Sequence, residues 1–102
     1  MGFIGIYVTH ENEEAAKKIG THLLEKRLIA CANYFPIQSS YWWNEKIQNA
    51  EEIVSLFKTR KENWEKVRDE IKSMHPYETP CIIRLDLEAN TEYETWVQEE
   101  TV

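Results

Sequence analysis

The most chemically reactive side chains of this chain are its two cysteines, Cys31 and Cys81, and one of its three histidines, His75. A thiolate is a soft metal ligand and a nucleophile, and an imidazole binds metals and carries protons near neutral pH. Tyr77 and Glu78 follow His75 closely, so that an imidazole, a phenol and a carboxylate are near one another in the sequence. These residue types are typical either of a metal site or of an acid–base site.

Each of these residues also has a purely structural interpretation. Free cysteines are among the most buried residue types, so Cys31 could be a small core residue. The same applies more strongly to Cys81, which shares an apolar alternation with Ile83 and Leu85. His75 follows a predicted helix, where a protonated ring would meet the negative end of the helix dipole.

The spacing of these residues matches no standard preformed site. The sequence contains no Cys-x-x-Cys pair, no His-Glu-x-x-His segment and no Asp-rich calcium loop. It also lacks a glycine-rich phosphate loop and the nucleophile elbow of serine hydrolases. We therefore predict that the protein is not an enzyme, and that any metal site is weak or is shared between copies of the chain.

The length and composition indicate one folded domain over residues 1–102. Of these residues 42% are hydrophobic and 12% aromatic, which supports a core and excludes intrinsic disorder. The net charge of -6 disfavours binding to nucleic acid and to anionic membranes. No apolar run reaches the roughly 18 residues of a membrane helix, and no signal peptide is evident. These features predict a cytoplasmic protein with reduced thiols.

The hydrophobic pattern predicts four strands. Three cover residues 3–10, 29–43 and 47–59, and the fourth begins at Pro80. A short polar connection between the second and third segments predicts a hairpin with two long arms. Pro36 removes one backbone donor from the second segment, so this strand is expected at an edge of the sheet.

Three helices alternate with these strands. The first is predicted from an Asn12 N-cap to about Arg27. The second is predicted to begin with a capping box at Thr59 and must end before Pro76. The third is predicted to begin with another capping box at Thr91. The order of elements predicts an α+β fold, a ferredoxin-like βαββαβ sandwich with an additional C-terminal helix.

In this fold the two main helices cover only one face of the sheet. The aromatic residues of the hairpin, Tyr34, Tyr41, Trp42 and Trp43, are too many for a chain of this size to bury alone. Exposed apolar patches of this kind mark association sites, and we therefore expect self-association. Trp64, by contrast, lies on the apolar stripe of the second helix and is predicted to be a core residue.

Several motifs occur in a fixed order along the chain. They are Ala30-Cys31-Ala32-Asn33, Tyr41-Trp42-Trp43, Lys58-Thr59, His75-Pro76-Tyr77-Glu78-Thr79-Pro80, and Tyr93 with Trp96. Together they resemble the CutA family of divalent-cation tolerance proteins over nearly the whole chain. The resemblance implies a ferredoxin-like protomer, similar to PII signalling proteins, that assembles as a homotrimer. From the unpaired edges of the long hairpin we predict residues 33–48 at the contacts. The resemblance also implies a link to copper and other divalent metals, without a settled biochemical activity.

The chain departs from the family pattern at two places. Some members carry a cysteine before the threonine near the end of the first strand, where this chain has Val8 before Thr9. A metal site that depends on that thiol cannot form here. Members also often have Glu-Gly-Lys after the tryptophans, where this chain has Asn44-Glu45-Lys46, so the turn type is expected to differ.

The leading hypothesis is a trimeric, PII-like signalling module that binds divalent cations, copper foremost, and acts in metal tolerance. Because thiolate and imidazole together suit copper, we predict metal ligands among Cys31 and His75, with Glu78 as a further candidate. The metal is not expected to be essential for folding. Two alternatives remain: an enzyme with His75, Glu78 and Tyr77 as acid–base groups between subunits, and a structural scaffold.

Overall fold

The computed structural model describes residues 2–102 and contains four strands and three α-helices in that part of the chain. In order, the elements are β1 (Phe3–His10), α1 (Glu13–Glu25), β2 (Cys31–Trp43), β3 (Lys46–Thr59), α2 (Trp64–Met74), β4 (Ile82–Leu87) and α3 (Thr91–Glu100). The strands form one antiparallel sheet in the order β2-β3-β1-β4. The predicted ferredoxin-like α+β fold with an added C-terminal helix is therefore confirmed.

The first helix begins and ends where its local sequence indicates. The Asn12 side chain accepts a hydrogen bond from the Ala15 backbone N–H at 2.8 Å, which satisfies one of the unpaired donors of the first turn. Glu13 and Glu14 place negative charge at the positive end of the helix dipole. Beyond the helix Arg27 adopts a positive φ of 57°, a conformation that turns the chain out of the helix.

The hydrophobic core lies between the sheet and helices α1 and α2. It consists of Ile4, Ile6, Val8, Ile19, Leu23, Leu28, Ile29, Phe57, Val67 and Ile71. Alternate residues of β1 point into this layer, as period-two patterning predicts. Trp64 differs from the prediction. It is half-buried at the edge of the core, where the Arg68 guanidinium lies 5.9 Å from its ring centre.

Strands β2 and β3 form a long hairpin with a two-residue turn. Trp43 pairs with Lys46, and the turn residues Asn44 and Glu45 have φ values of 51° and 62°. Positive φ at both central positions is the signature of a type I′ turn, whose twist matches that of the strands. Pro36 lies in β2, which is an edge strand of the sheet as predicted.

The face of the sheet turned away from α1 and α2 is called the open face here. Helix α3 covers one end of it, where the Tyr93 ring contacts Phe3 at 5.9 Å and the Lys58 ammonium lies 5.3 Å from its centre. Much of the rest is exposed in the protomer, although Val54 and Glu52 on this face are buried. Ile83 and Leu85 of β4 point to this face and are 45% and 38% exposed, so the apolar side of β4 does not join the helix-covered core.

The predicted capping box at Thr59 is wrong. Thr59 is the last residue of β3 and is fully buried, and its hydroxyl donates to the Leu28 backbone carbonyl at 2.6 Å. The Asn63 side chain donates to the same carbonyl and to the Thr59 hydroxyl, each at 3.2 Å. A short 3-10 turn, Lys61–Asn63, then leads into α2. A long-range hydrogen bond has replaced the local cap.

The second capping box is also wrong in its first member. Asn90, rather than Thr91, occupies the N-cap position of α3, and its side chain makes no capping bond. The Glu94 carboxylate does reach back, but it accepts from the backbone N–H groups of Ala89 at 2.7 Å and Gly2 at 2.6 Å. These two bonds lower the pKa of Glu94 and tie α3 to the start of β1.

None of the helices described across residues 2–102 combines the length and the apolar character that crossing a membrane would require.

A candidate site at the hairpin end of the open face

The structure does not bring Cys31 and His75 together within one protomer. Cys31 pairs with Lys58, which pairs in turn with Gly5 near the start of β1. The His75 ring instead bonds to the backbone carbonyl of Thr9, near the other end of the same strand. At a rise of about 3.3 Å per residue, these two levels of β1 are separated by roughly 13 Å.

Both cysteines are half-buried free thiols. The Cys31 thiol lies 3.9 Å from the Asn33 side-chain oxygen. Burial, and then the interaction with the Cys31 thiol, raise the pKa of the neighbouring Tyr93. Cys31 therefore lies beside α3. The Cys81 thiol lies near the opposite end of the open face, where burial, and then the charge of Glu52, raise its pKa. That environment favours a protonated, unreactive Cys81.

His75 caps the C-terminus of α2 and is only 8% exposed. Its Nε2–H donates to the Thr9 carbonyl at 2.8 Å, while Nδ1 accepts from the Tyr77 backbone N–H at 3.2 Å. The ring also stacks on His10 with centroids 5.3 Å apart. Because both ring nitrogens are hydrogen-bonded, a metal ion would have to replace one of these bonds. In the protomer His75 is therefore a structural residue held by two hydrogen bonds, and the predicted contact of a protonated ring with the helix dipole is not what holds it, since Nδ1 acts as an acceptor.

His10 was not among the predicted site residues, although it is the more buried imidazole. It is 1% exposed, and its Nε2 lies 2.7 Å from the Ser55 hydroxyl. Its Nδ1 is buried and has no hydrogen-bond partner within residues 2–102. Burial, and then the charge of His75, lower the pKa of His10 to about 4. The alternation of residues in β1 could have predicted that His10 is buried, because it assigns His10 to the same face as Val8.

A large cavity on the described surface lies between the hairpin and the segment after α2. Its volume is about 760 Å³, and it is lined by Tyr7, Thr9, Ile37, Gln38, Ser39, Ser40, Tyr41, Trp42, Trp43, Glu52, Tyr77, Glu78, Thr79 and Cys81. Of the three predicted metal ligands, only Glu78 lines it. Glu78 is exposed, so its carboxylate is accessible to solvent and to ligands.

A hydrogen-bonded pair lies in the wall of this cavity. The Tyr77 hydroxyl donates to Glu52 Oε2 at 2.8 Å, and Glu52 is only 9% exposed. Burial, followed by the bond to Glu52, raises the pKa of Tyr77 far above its ordinary value of 10.0. The phenol therefore stays protonated at neutral pH. This weakens the case for Tyr77 as an acid–base group of an enzyme, since such groups work best with a pKa near the operating pH.

Glu52 lines the candidate site and was missed by the sequence reasoning. Tyr77 and Glu52 are 25 residues apart, and no motif connects them. Alternation along β3 puts Val54 and Leu56 on one face, and extending it by two positions places the Glu52 carboxylate on that face too. Within residues 2–102 no group of three or more His, Cys, Asp and Glu side chains is arranged to hold a metal ion.

Comparison with known proteins gives a consistent result over nearly the whole chain. The family described as "CutA1 divalent ion tolerance protein" matches residues 4–100. The divalent-cation tolerance protein CutA of Thermotoga maritima is 47% identical over 95 residues, covering 92% of this chain and 94% of the relative. The corresponding protein of Archaeoglobus fulgidus is 46% identical over 95 residues, covering 92% and 93%. The crystal structure of CutA1 from Pyrococcus horikoshii superposes with a TM-score of 0.93 at 41% identity, covering 97% of this chain and 98% of that one.

Proposed function

Because the chain belongs to the CutA1 divalent ion tolerance family, we propose that it binds divalent cations, copper foremost, and acts in metal tolerance as a homotrimeric, PII-like module of the cytoplasm. The observation that carries the proposal is the family match over residues 4–100, which includes the segments around Cys31 and His75. The cation is treated as a bound cargo or signal rather than as a group required for folding.

Self-association is supported by the surface of the hairpin. Trp42 is 72% exposed and Ile47 is 62% exposed, and Phe35, Tyr41 and Trp43 are each more than 40% exposed. Exposure of this much apolar surface to water does not stabilise a monomer, and large apolar patches typically mark association sites. The outer edge of β2 also presents backbone donors and acceptors that a second copy can pair. Burial of this surface between copies would stabilise an oligomer.

The same association supports a shared metal site. Cys31 and His75 are roughly 13 Å apart along one protomer, too far for a common ion. We therefore propose a site that neighbouring copies complete, with the Cys31 thiol from one copy and the His75 ring and Glu78 carboxylate from another. A metal at His75 must replace one of the two hydrogen bonds of the ring, so the affinity is expected to be modest.

Copper titration of the assembled protein tests this proposal. Calorimetry is performed on the wild type, on Cys31→Ser, on His75→Gln and on the double variant. Each single substitution is expected to weaken copper binding at least tenfold, and acidification is expected to weaken it in the wild type because both ligands must lose protons. Cys81→Ser is the matched control, since it removes the other thiol of the chain, and it should bind as the wild type does.

Sedimentation of every variant separates ligand loss from disassembly. If the double variant remains assembled and binds copper as tightly as the wild type, Cys31 and His75 are not ligands. In that case the structural scaffold becomes the preferred function.

A further inference from the structure

Within residues 2–102, the Nδ1 atom of His10 is the one buried side-chain polar atom without a hydrogen-bond partner. The ring is 1% exposed, and its Nε2 lies 2.7 Å from the Ser55 hydroxyl oxygen. A buried N–H without an acceptor is rarer than a buried acceptor without a donor, so we assign the ring proton to Nε2. Nδ1 of His10 therefore carries a free lone pair inside the protein, and a neutral imidazole of this kind is a metal ligand.

A second imidazole lies directly beside this ring and is held in the same way. The His75 ring stacks on His10 with the ring centres 5.3 Å apart, and its Nε2–H donates to the Thr9 carbonyl at 2.8 Å. In each ring Nε2–H is donated to a protein oxygen and Nδ1 carries the lone pair. Histidine ligands typically donate their other ring N–H to an oxygen, which fixes the tautomer and orients the ring. The two histidines therefore already have the outer hydrogen bonds of a metal site.

A metal ion at the two Nδ1 atoms would replace only one hydrogen bond. Nδ1 of His10 has none to lose within the described residues. Nδ1 of His75 accepts the Tyr77 backbone N–H at 3.2 Å, which is longer than the 2.8 Å bond at Nε2. Tyr77 lies outside helix α2, in a segment with no regular secondary structure, so its N–H can turn to another acceptor.

The small number of ligands indicates which ion fits. Imidazole nitrogens suit copper, zinc, nickel and iron. Within residues 2–102 no further His, Cys, Asp or Glu side chain joins the pair in a group that could hold a metal. Zinc typically requires a tetrahedral set of ligands, whereas monovalent copper is stable at low coordination number. Bonds of about 2 Å place two nitrogens about 4 Å apart across an ion, and rotation of the stacked rings can bring them to that separation.

We propose that His10 and His75 together hold a monovalent copper ion through their Nδ1 atoms. The pair supplies the imidazole part of the proposed copper site, so this inference rests on that proposed function, but it does not depend on Cys31. The two rings lie against the helix-covered side of the sheet, where His10 is buried in line with Val8. Association through the hairpin residues 33–48 therefore leaves the pair intact.

Anaerobic titration of the assembled protein with monovalent copper, in competition with the chelator bathocuproine disulfonate, tests the pair. His10→Phe keeps a ring of similar size but removes the ligand, and it is expected to weaken binding at least about tenfold. His22→Gln is the matched control, because it removes the remaining imidazole of the chain, which bonds to Glu70 at 2.7 Å. This control should bind as the wild type does. Circular dichroism and sedimentation check that His10→Phe is folded and assembled.

NMR of the histidine ring nitrogens identifies the ligand atoms in the wild type, without any substitution. Silver(I) serves as a diamagnetic substitute for monovalent copper. It should shift the Nδ1 resonances of His10 and His75 more than their Nε2 resonances, and it should leave the His22 ring unshifted. A merely structural role of His10 would not produce a shift at its Nδ1.

Two kinds of failure can be distinguished. If folded His10→Phe binds monovalent copper as tightly as the wild type, or if silver leaves Nδ1 of His10 unshifted, His10 is not a ligand and this inference is wrong. That result leaves the proposed site at Cys31 and His75 unaffected. If the wild type binds copper in neither oxidation state, the proposed function itself is wrong, and this inference fails with it.

Discussion

The two faces of the sheet differ in how completely residues of the same protomer bury and pair their side chains. On the helix-covered face Ile4, Ile6 and Phe57 are fully buried by residues of the same chain. On the open face Ile83 is substantially exposed, and the buried Glu52 carboxylate forms no ion pair within residues 2–102. Because adjacent residues of one strand point to opposite faces, the same strands supply both surfaces. One face accounts for stability, and the other remains available for partners and ligands.

The largest effect is expected from truncation of the helix-covered face. Phe57→Ala removes a fully buried ring from the centre of the core and should lower the free energy of unfolding by about 3–5 kcal/mol. Ile83→Ala, on the open face, should cost less than about 1 kcal/mol in the dissociated chain. Denaturant unfolding at low protein concentration measures both. Equal losses for the two variants would contradict the contrast between the faces.

An intermediate effect is expected at the hairpin, and it should appear in association rather than in folding. Trp42→Ala and Trp43→Ala each remove exposed aromatic surface. Each should weaken oligomer formation by at least about tenfold, or ~1.4 kcal/mol, as loss of an interface aromatic residue typically does. Sedimentation velocity over a dilution series measures this. If neither substitution changes dissociation, the hairpin is not the association surface.

The effect that is smallest at neutral pH is expected from the buried imidazole, because it appears only on acidification. The pKa of His10 is lowered to about 4 in the folded chain, whereas its ordinary value is 6.5. The unfolded chain therefore takes up this proton first, and stability should fall as pH decreases from about 6.5 to about 4. Unfolding curves at pH 7, 5 and 4 should show a steeper acid loss for the wild type than for His10→Phe.

The His75 ring stacks on the His10 ring, so His75→Gln is measured alongside. Equal pH dependence of the wild type and His10→Phe would show that His10 does not carry this acid sensitivity.

Much of the architecture could be read from local patterns. Alternation in β1, the turn between Trp43 and Lys46, and Pro36 in β2 predicted a strand, a hairpin and a sheet edge that the structure contains. The predictions failed where a distant partner competed with a local one. Thr59 has the right spacing for a helix cap, yet its hydroxyl bonds to Leu28, which is 31 residues away.

The candidate sites were less accessible to sequence reasoning. The family motifs identified Cys31, His75 and Glu78 as candidate site residues. The order of motifs along the chain, however, does not give the distances between these side chains in the folded protein. Strand pairing places Cys31 and His75 at different levels of β1. Glu52 belonged to no motif and became notable only because the fold buries it beside Tyr77.

Periodicity and motifs are local properties of the chain, so the class of fold, the order of elements and the family follow from the amino-acid sequence. Which groups meet depends on the folded arrangement. The contact between His10 and His75 and the bond between Glu52 and Tyr77 each join segments far apart in sequence. Such contacts depend on strand register and on the path of the segment after α2. A shift of one residue in register would move every side chain of a strand to the opposite face.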